Sequence, residues 1–410
     1  MIIKENFSVL DPEINQDPFP YFNALREQDP VHWNTRHRAW FLTRYDDVKA
    51  GLRDPRLSVD RIRPYIQRRL SAEEQVTFHD TFSLMESFLP FRDPPHHTRL
   101  RKIIQAAFTP AVVAKQADGV EQITKTLTEN AVAKLRRGET VDLVSDYARP
   151  LPATVMARMV HLDDVDSHLI DAWTTDLSLF MGGAVDDPER NSKVHRGVSN
   201  MAAHIADVLN NYDGDQTDVV GALLAAEADG DRLTRQEIVA TCILMIFAGY
   251  RTTACSTANA INQLLGNPAL HQQLQADLSL LPAAVEEFMR FEGHARIAIR
   301  WAAEEFELHG KTIRPGERVF LVLAAANRDP RQFTDPDRLD IRRHPNQHLG
   351  FGMGMHYCLG APLARIEIAS ALRSFLSEFP AVTPAGPDRQ WEKLLTNRAL
   401  ARLDVRMAQH

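Results

Sequence analysis

Residues 351–360 read Phe351-Gly352-Met353-Gly354-Met355-His356-Tyr357-Cys358-Leu359-Gly360. Three glycines in ten residues let the backbone turn tightly and come close to something flat. A helical stretch, Ala361 to Phe379, follows, so Cys358 stands at a helix start near Leu359. The dipole and free N–H groups of a helix N-terminus favour a thiolate. A lone cysteine in a large chain is more often a buried, inert thiol. The glycine spacing, His356 and the helix behind it favour a ligand instead. A zinc site would need further donors nearby, and only His356 is at hand.

The rest of the composition narrows the class. The chain has 410 residues, 44% hydrophobic and 25% charged, which is ordinary for a globular protein and excludes a disordered one. A net charge of -7 gives no footprint for nucleic acid. The three cysteines, Cys242, Cys255 and Cys358, form no CxxC pair, so neither a disulfide scaffold nor a structural zinc site is expected. The N-terminus carries no signal-peptide pattern. The longest apolar stretch, Ile238 to Tyr250, is too short for a membrane span. The expectation is a soluble, cytoplasmic protein with no membrane partner.

No repeat, low-complexity segment or Gly/Ser-rich linker divides the chain, so one domain over 1–410 is expected. Val31 to Trp33 and Ala39 to Thr43 read as short strands around a polar turn, and Tyr45 to Arg53 as a short helix. Residues 57 to 92 read as an irregular lid or binding loop with scattered aromatics. Val120, Ile123, Leu127 and Leu135 recur at helical spacing before Gly138. Thr234 with Glu237 makes a capping box. The helix behind it runs to about Leu265, where Gly266-Asn267-Pro268 stops it, and its apolar first half reads as a buried central helix. Short strands are expected at Ala295 to Trp301, Glu305 to His309 and Arg318 to Leu323, with a hairpin over Leu395 to Met407. The class is mainly α with small β-sheets.

A soft thiolate in a tight glycine loop suits haem iron. The loop matches the Phe-Gly-x-Gly-x-His-x-Cys-x-Gly pattern at every fixed position, and on it the chain resembles the cytochrome P-450 family, in its soluble bacterial form. Arg44-Tyr45-Asp46-Asp47-Val48, Leu52-Arg53-Asp54-Pro55-Arg56 and Ala326-Asn327-Arg328-Asp329-Pro330 extend the likeness over nearly the whole chain. The resemblance implies a helical prism around a buried haem b (iron-protoporphyrin IX, heme). It implies Cys358 as the axial thiolate, the one metal ligand, with Phe351, Gly352, Gly354, His356 and Gly360 shaping the loop.

Other motifs take their roles from the same resemblance. Glu287 and Arg290, at i and i+3, share a helix face and look like the family's Glu-x-x-Arg pair. Phe333-Thr334-Asp335-Pro336-Asp337-Arg338 resembles its meander, with Arg338 expected to join the pair. His97 and Arg101, Arg300, and His356 are implied partners of the haem propionates. Ala248 and Gly249 leave room for a ligand against the long helix, and equally suit a close helix crossing. Thr252 is implied beside dioxygen, as a hydrogen-bond donor that aids proton delivery.

Two positions depart from the family pattern. Arg251 stands where an acid usually precedes the threonine, and His294-Ala295-Arg296 replaces a common Pro-Val-Gln. Arg251 and Arg296 together suggest a substrate with a carboxylate or another anionic or strongly accepting group, against an even alternative that both serve salt bridges or solvent. Further pocket candidates are Phe82, Phe88, Leu244, Phe247, Ala295, Leu395 and Thr396.

The implied activity is monooxygenation of a small organic substrate. The chain holds no fused flavin or iron–sulfur domain, so the implied electron source is a separate ferredoxin or flavodoxin with its reductase. Arg99 and Lys102 are candidates for a basic docking patch. Arg251 also leaves room for a peroxide-dependent haem-thiolate enzyme. A haem-binding sensor or carrier without oxygen chemistry is the reading from another class.

Overall fold

The computed structural model describes residues 3–181, 187–214, 218–228, 231–386 and 389–408. They divide into two compact units. One comprises Met1–Ser58, Thr124–Pro150 and Thr252–His410, the other Val59–Ile123 and Leu151–Arg251. The long helix Arg235–Leu265 contributes its first half to the second unit and its remainder to the first.

The first unit is organised by a five-stranded sheet. Val31–Asn34 pairs antiparallel with Ala39–Leu42, which pairs parallel with Arg318–Leu321. Ala298–Ala302 follows antiparallel and Leu57–Ser58 closes the edge. Side chains alternate across a sheet, so each strand feeds two cores. Phe41 and Phe320 are in register and meet edge-on with centroids 5.0 Å apart. With Phe7, Phe22 and Leu395 they build one core. Val31, Leu42, Val319 and Leu321 face the other way, onto Tyr45, Val48, Phe333 and Leu349. That second core lies under the segment that leads into the cysteine loop.

The tail departs from the expected hairpin. Only Asp404–Met407 is a strand, and it pairs with Val382–Pro384 and with Val141–Asp142. These partners are remote in sequence, which local alternation cannot reveal. Residues near 395 instead make single bridges, Ala295 with Asn397 and Trp391 with Leu400.

The second unit is helical. Helices Ser167–Met181 and Arg190–Asn210 pack closely because a Cβ on Gly197 would lie 2.7 Å from the Trp173 carbonyl oxygen. Val194, Val198, Met201 and Ile205 recur at helical spacing on the buried side. Residues 57 to 92 are not irregular as expected: they carry helices Ile62–Arg69, Ala72–Thr77 and His79–Glu86. Ser71 and Glu74 form a reciprocal capping box there, a signal the sequence displays openly.

The long helix starts and stops where its sequence says. Glu237 N–H donates to Thr234 Oγ1 at 3.2 Å, and Thr234 N–H to Glu237 Oε2 at 2.8 Å. The helix ends at Leu265, and Asn267 caps the next one. The whole helix is long and apolar enough to cross a membrane by length and composition, yet 56% of its most apolar window is buried in protein. That is the signature of a core helix.

Candidate active site

The cysteine loop is a closed backbone turn. Gly352 and Gly354 sit at φ +69° and +72°, a region that side chains disfavour. A Cβ on Gly354 would also press to 3.0 Å from Arg53 Cγ. Cys358 N–H donates to the Phe351 carbonyl at 2.9 Å, and Gly352 N–H to that of Leu349 at 2.9 Å. These bonds present the thiol beside the first turn of helix Ala361–Glu378, and Cys358 is exposed.

Among the described residues no group of three or more His, Cys, Asp or Glu side chains could hold a metal ion. A porphyrin supplies four ring nitrogens of its own, and a flat macrocycle suits a glycine-lined thiolate loop.

Two charged clusters underpin the loop, both in the first unit. Arg290 donates through Nε and Nη2 to the two Glu287 oxygens, each at 2.8 Å. It also donates to the carbonyls of Asn327 and Pro336, at 2.8 and 2.9 Å. Asn327 in turn accepts Leu349 N–H at 2.7 Å, which ties the pair to the root of the loop. The third charged member is Arg343, with Nε 3.2 Å from both Glu287 oxygens. This corrects the expectation for Arg338: its side chain is exposed and only its carbonyl takes part, accepting from Arg290. A turn closed by Arg338 N–H on the Asp335 carbonyl, with Asp335 at φ +47°, aims the side chain outward.

The second cluster was not foreseen. Arg365 grips Glu286 at 2.6 and 2.9 Å and lies 4.5 Å over the Phe351 ring. His348 reaches the same carboxylate at 3.1 Å. Burial alone would raise the Glu286 pKa, but the bonds from Arg365 and His348 outweigh it and hold the value at about 2. Glu286 immediately precedes the recognisable pair, so its sequence position was the available signal.

The remaining expected residues distribute as follows. Arg300 lies at the middle of its strand, 8% exposed, and donates to the Ile299 carbonyl. His356 closes the loop's short helical turn. In the second unit, His97 and Arg101 share a face of helix His96–Ala107. His97 is buried, and burial first, then Arg101, lowers its pKa against Asp93. Leu244, Phe247 and Ala248, three and four residues apart, keep accessible surface on one side of the long helix, where Ile243 and Ile246 are buried. Gly249 does not leave free room. A Cβ there would meet Met156 Sδ at 2.2 Å, so that space belongs to a helix crossing.

Phe82 and Phe88 are core residues of their own unit. Phe82 packs on Tyr65, Phe78 and Phe180, and Phe88 on Phe91. They are 2% and 0% exposed, so their rings offer no surface to a ligand. Arg99 is likewise engaged. It donates to Asp231, to Glu237 at 2.6 Å and to the Arg232 carbonyl at 2.8 Å, so the expected patch loses one of its two charges.

Segment 294–297 is laced to the tail. Arg296 N–H donates to the Thr396 carbonyl at 2.8 Å and Arg398 N–H to that of His294 at 2.7 Å. The structure thus brings together Ala295, Arg296, Leu395 and Thr396, which lie a hundred residues apart. The Arg296 guanidinium is no open anion receptor. It is fully buried and donates to the carbonyls of Val9 and Leu394, each at 3.2 Å, and to Asn15 Oδ1 at 3.0 Å. Burial, with Arg398 nearby, lowers its pKa to about 9. Arg251 Nη1 reaches Thr175 Oγ1 at 3.3 Å. Thr252 carries a side-chain bond on its carbonyl, from Ser256 Oγ at 2.9 Å, and His294 Nδ1 lies 2.9 Å from the same Ser256 oxygen.

The comparisons with known proteins agree with this loop. The chain matches the cytochrome P-450 family model over residues 70–402. Cytochrome P-450 107B1 of Saccharopolyspora erythraea is 36% identical over 407 residues, covering 97% of this chain and 96% of its own. Vitamin D(3) 25-hydroxylase of Pseudonocardia autotrophica is 34% identical over 399 residues, covering 96% and 94%. Among solved structures, CalO2 superposes with a TM-score of 0.87 at 27% identity, covering 99% of each chain. P450BioI, in complex with an acyl carrier protein ligated to hexadec-9Z-enoic acid, gives 0.85 at 29% identity, covering 97% and 99%.

Proposed function

The chain belongs to the cytochrome P-450 family and is a haem-thiolate monooxygenase of organic substrates with protohaem as its cofactor; from that premise we propose which residues carry the chemistry. Cys358 is the thiolate ligand. His97, Arg101, Arg300 and His356 would hold the propionates, and Phe351, Gly352, Gly354 and Gly360 would shape the loop that receives the ring. Ala248 and the backbone of Gly249 are the long helix's candidates for contact with the bound group. Bound there, the haem supplies dioxygen activation, and its thiolate favours O–O cleavage. The observation that carries this reading is the Cys358 loop, closed on Phe351 and presented at a helix N-terminus.

Thr252 is assigned to proton delivery through its hydroxyl. The acid that usually precedes it is Arg251 here, and that side chain bonds to Thr175. Protons therefore reach Thr252 through water or the substrate, and Arg251 is structural. The peroxide-dependent reading rested on Arg251 alone and gains no support from this contact.

The substrate reading is an extended, largely apolar molecule held by Leu244, Phe247, Ala295, Leu395 and Thr396. Arg296 is a strut of the first unit, so the anionic anchor is withdrawn. Family members take electrons from redox partners, and a ferredoxin or flavodoxin with its reductase is the source assigned here. A cytoplasmic location, and a single domain running through both compact units, complete the reading. The test is haem retention on gel filtration. Arg300→Ala, and His97→Ala with Arg101→Ala, should release haem several-fold faster than wild type. Unchanged release would reject the propionate assignments.

A further inference from the structure

The contact between His294 and Ser256 fixes a tautomer. Ser256 has one hydroxyl proton and gives it to the Thr252 carbonyl at 2.9 Å. Its oxygen lies 2.9 Å from His294 Nδ1 as well. Both bonds form together only if Nδ1 carries the hydrogen and donates to Ser256 Oγ. The other ring nitrogen, Nε2, is then a lone-pair acceptor.

No protein group takes up that acceptor among the described residues. Nε2 has no hydrogen-bond partner and is not among the fully buried polar atoms. Burial, with no charged group contributing, lowers the His294 pKa to about 4, so the ring is neutral near pH 7. Yet His294 keeps accessible surface. That surface, with Nε2 unpartnered and the ring held through Nδ1 on Ser256, leaves the acceptor open to a ligand. Its main chain is fixed, because its carbonyl accepts Arg398 N–H at 2.7 Å. Its neighbours Ala295 and Thr396 are in the proposed substrate wall.

We propose that His294 is the polar anchor of the substrate chamber, presenting Nε2 as a hydrogen-bond acceptor to a hydroxyl or N–H group of an otherwise apolar substrate. Ser256 is its positioning residue. The chamber so described selects a hydrogen-bond donor, where the arginines had suggested an anion. The proposal rests on the reading that segment 294–297 borders the chamber.

The experiment titrates the ferric holoenzyme with matched pairs and follows the haem absorption. The probes are decan-1-ol with its methyl ether, and testosterone with its 17-O-methyl ether. One buried hydrogen bond should favour the alcohols by about five- to tenfold in wild type. His294→Leu should bring that ratio to about one, and Ser256→Ala should reduce it by freeing the tautomer. In parallel, nitrogen-15 NMR of histidine-labelled wild type should show His294 protonated at Nδ1, a result independent of any variant's folding. Protonation at Nε2 would overturn the proposal. So would an alcohol preference that survives His294→Leu, or equal or absent binding of both members of every pair. Ala295→Phe separates the underlying reading, because if it alters no probe's affinity the segment does not border the chamber at all.

Discussion

Arg290 places two donors on the two oxygens of Glu287 at 2.8 Å, and neither side chain is exposed. A buried pair of this kind adds little net stability over an apolar replacement, but breaking it strands a charge. Glu287→Ala or Arg290→Ala should cost about 3 to 5 kcal/mol. Arg343→Ala should also destabilise, and Arg338→Ala should lie within about 0.5 kcal/mol of wild type, as a surface change does. Urea titration of the four variants checks the order. Equal losses at 338 and 343 would contradict the network.

Arg99 is occupied by Asp231 and Glu237. Arg99→Gln should leave the rate of haem reduction by a redox partner within about twofold and cost roughly 1 kcal/mol or less, as exposed ion pairs do. Stopped-flow reduction and thermal melting read the two effects separately. A large loss of reduction rate at intact stability would restore Arg99 to the docking surface.

Gly249 and Met156 compete for one volume. Gly249→Ala should cost about 1 to 3 kcal/mol by overpacking. Met156→Ala in the same chain should recover part of that loss, a non-additivity that a double-mutant cycle measures. Additive costs would mean that the two residues do not meet.

The sequence carried the site's chemistry further than its support. Glycine spacing, capping boxes and the pair at 287 and 290 are local patterns, so the cysteine loop and the long helix could be read directly. Arg343 could not, because which arginine meets Glu287 depends on how residues 334–349 fold back. The burial of Arg296 was hidden for a related reason. Its partners Val9, Asn15 and Leu394 come from opposite ends of the chain. The helices within 57–92 were legible in part, through Ser71 and Glu74, and were missed because scattered aromatics masked the periodicity.

Glu286 gives the loop a pH dependence of known sign. Its folded pKa of about 2 lies below the ordinary carboxylate value, so its contribution is present above about pH 4.3 and is lost as pH falls toward 2. Wild type should lose loop stability over that window, and Glu286→Gln should be weaker at neutral pH and flatter below it. Haem release against pH reads the difference. Parallel curves would show that Arg365 and His348 do not stabilise the carboxylate.

The central claim is that Cys358 is the thiolate that binds haem iron. The most direct measurement is the absorption spectrum of the reduced, carbon monoxide-bound holoenzyme, in wild type and in Cys358→His. The expected result is the long-wavelength Soret band of a thiolate-ligated haem in wild type and its replacement by the shorter-wavelength band of an imidazole-ligated haem in the variant. A wild type without the thiolate band, or a variant that keeps it, would contradict the assignment.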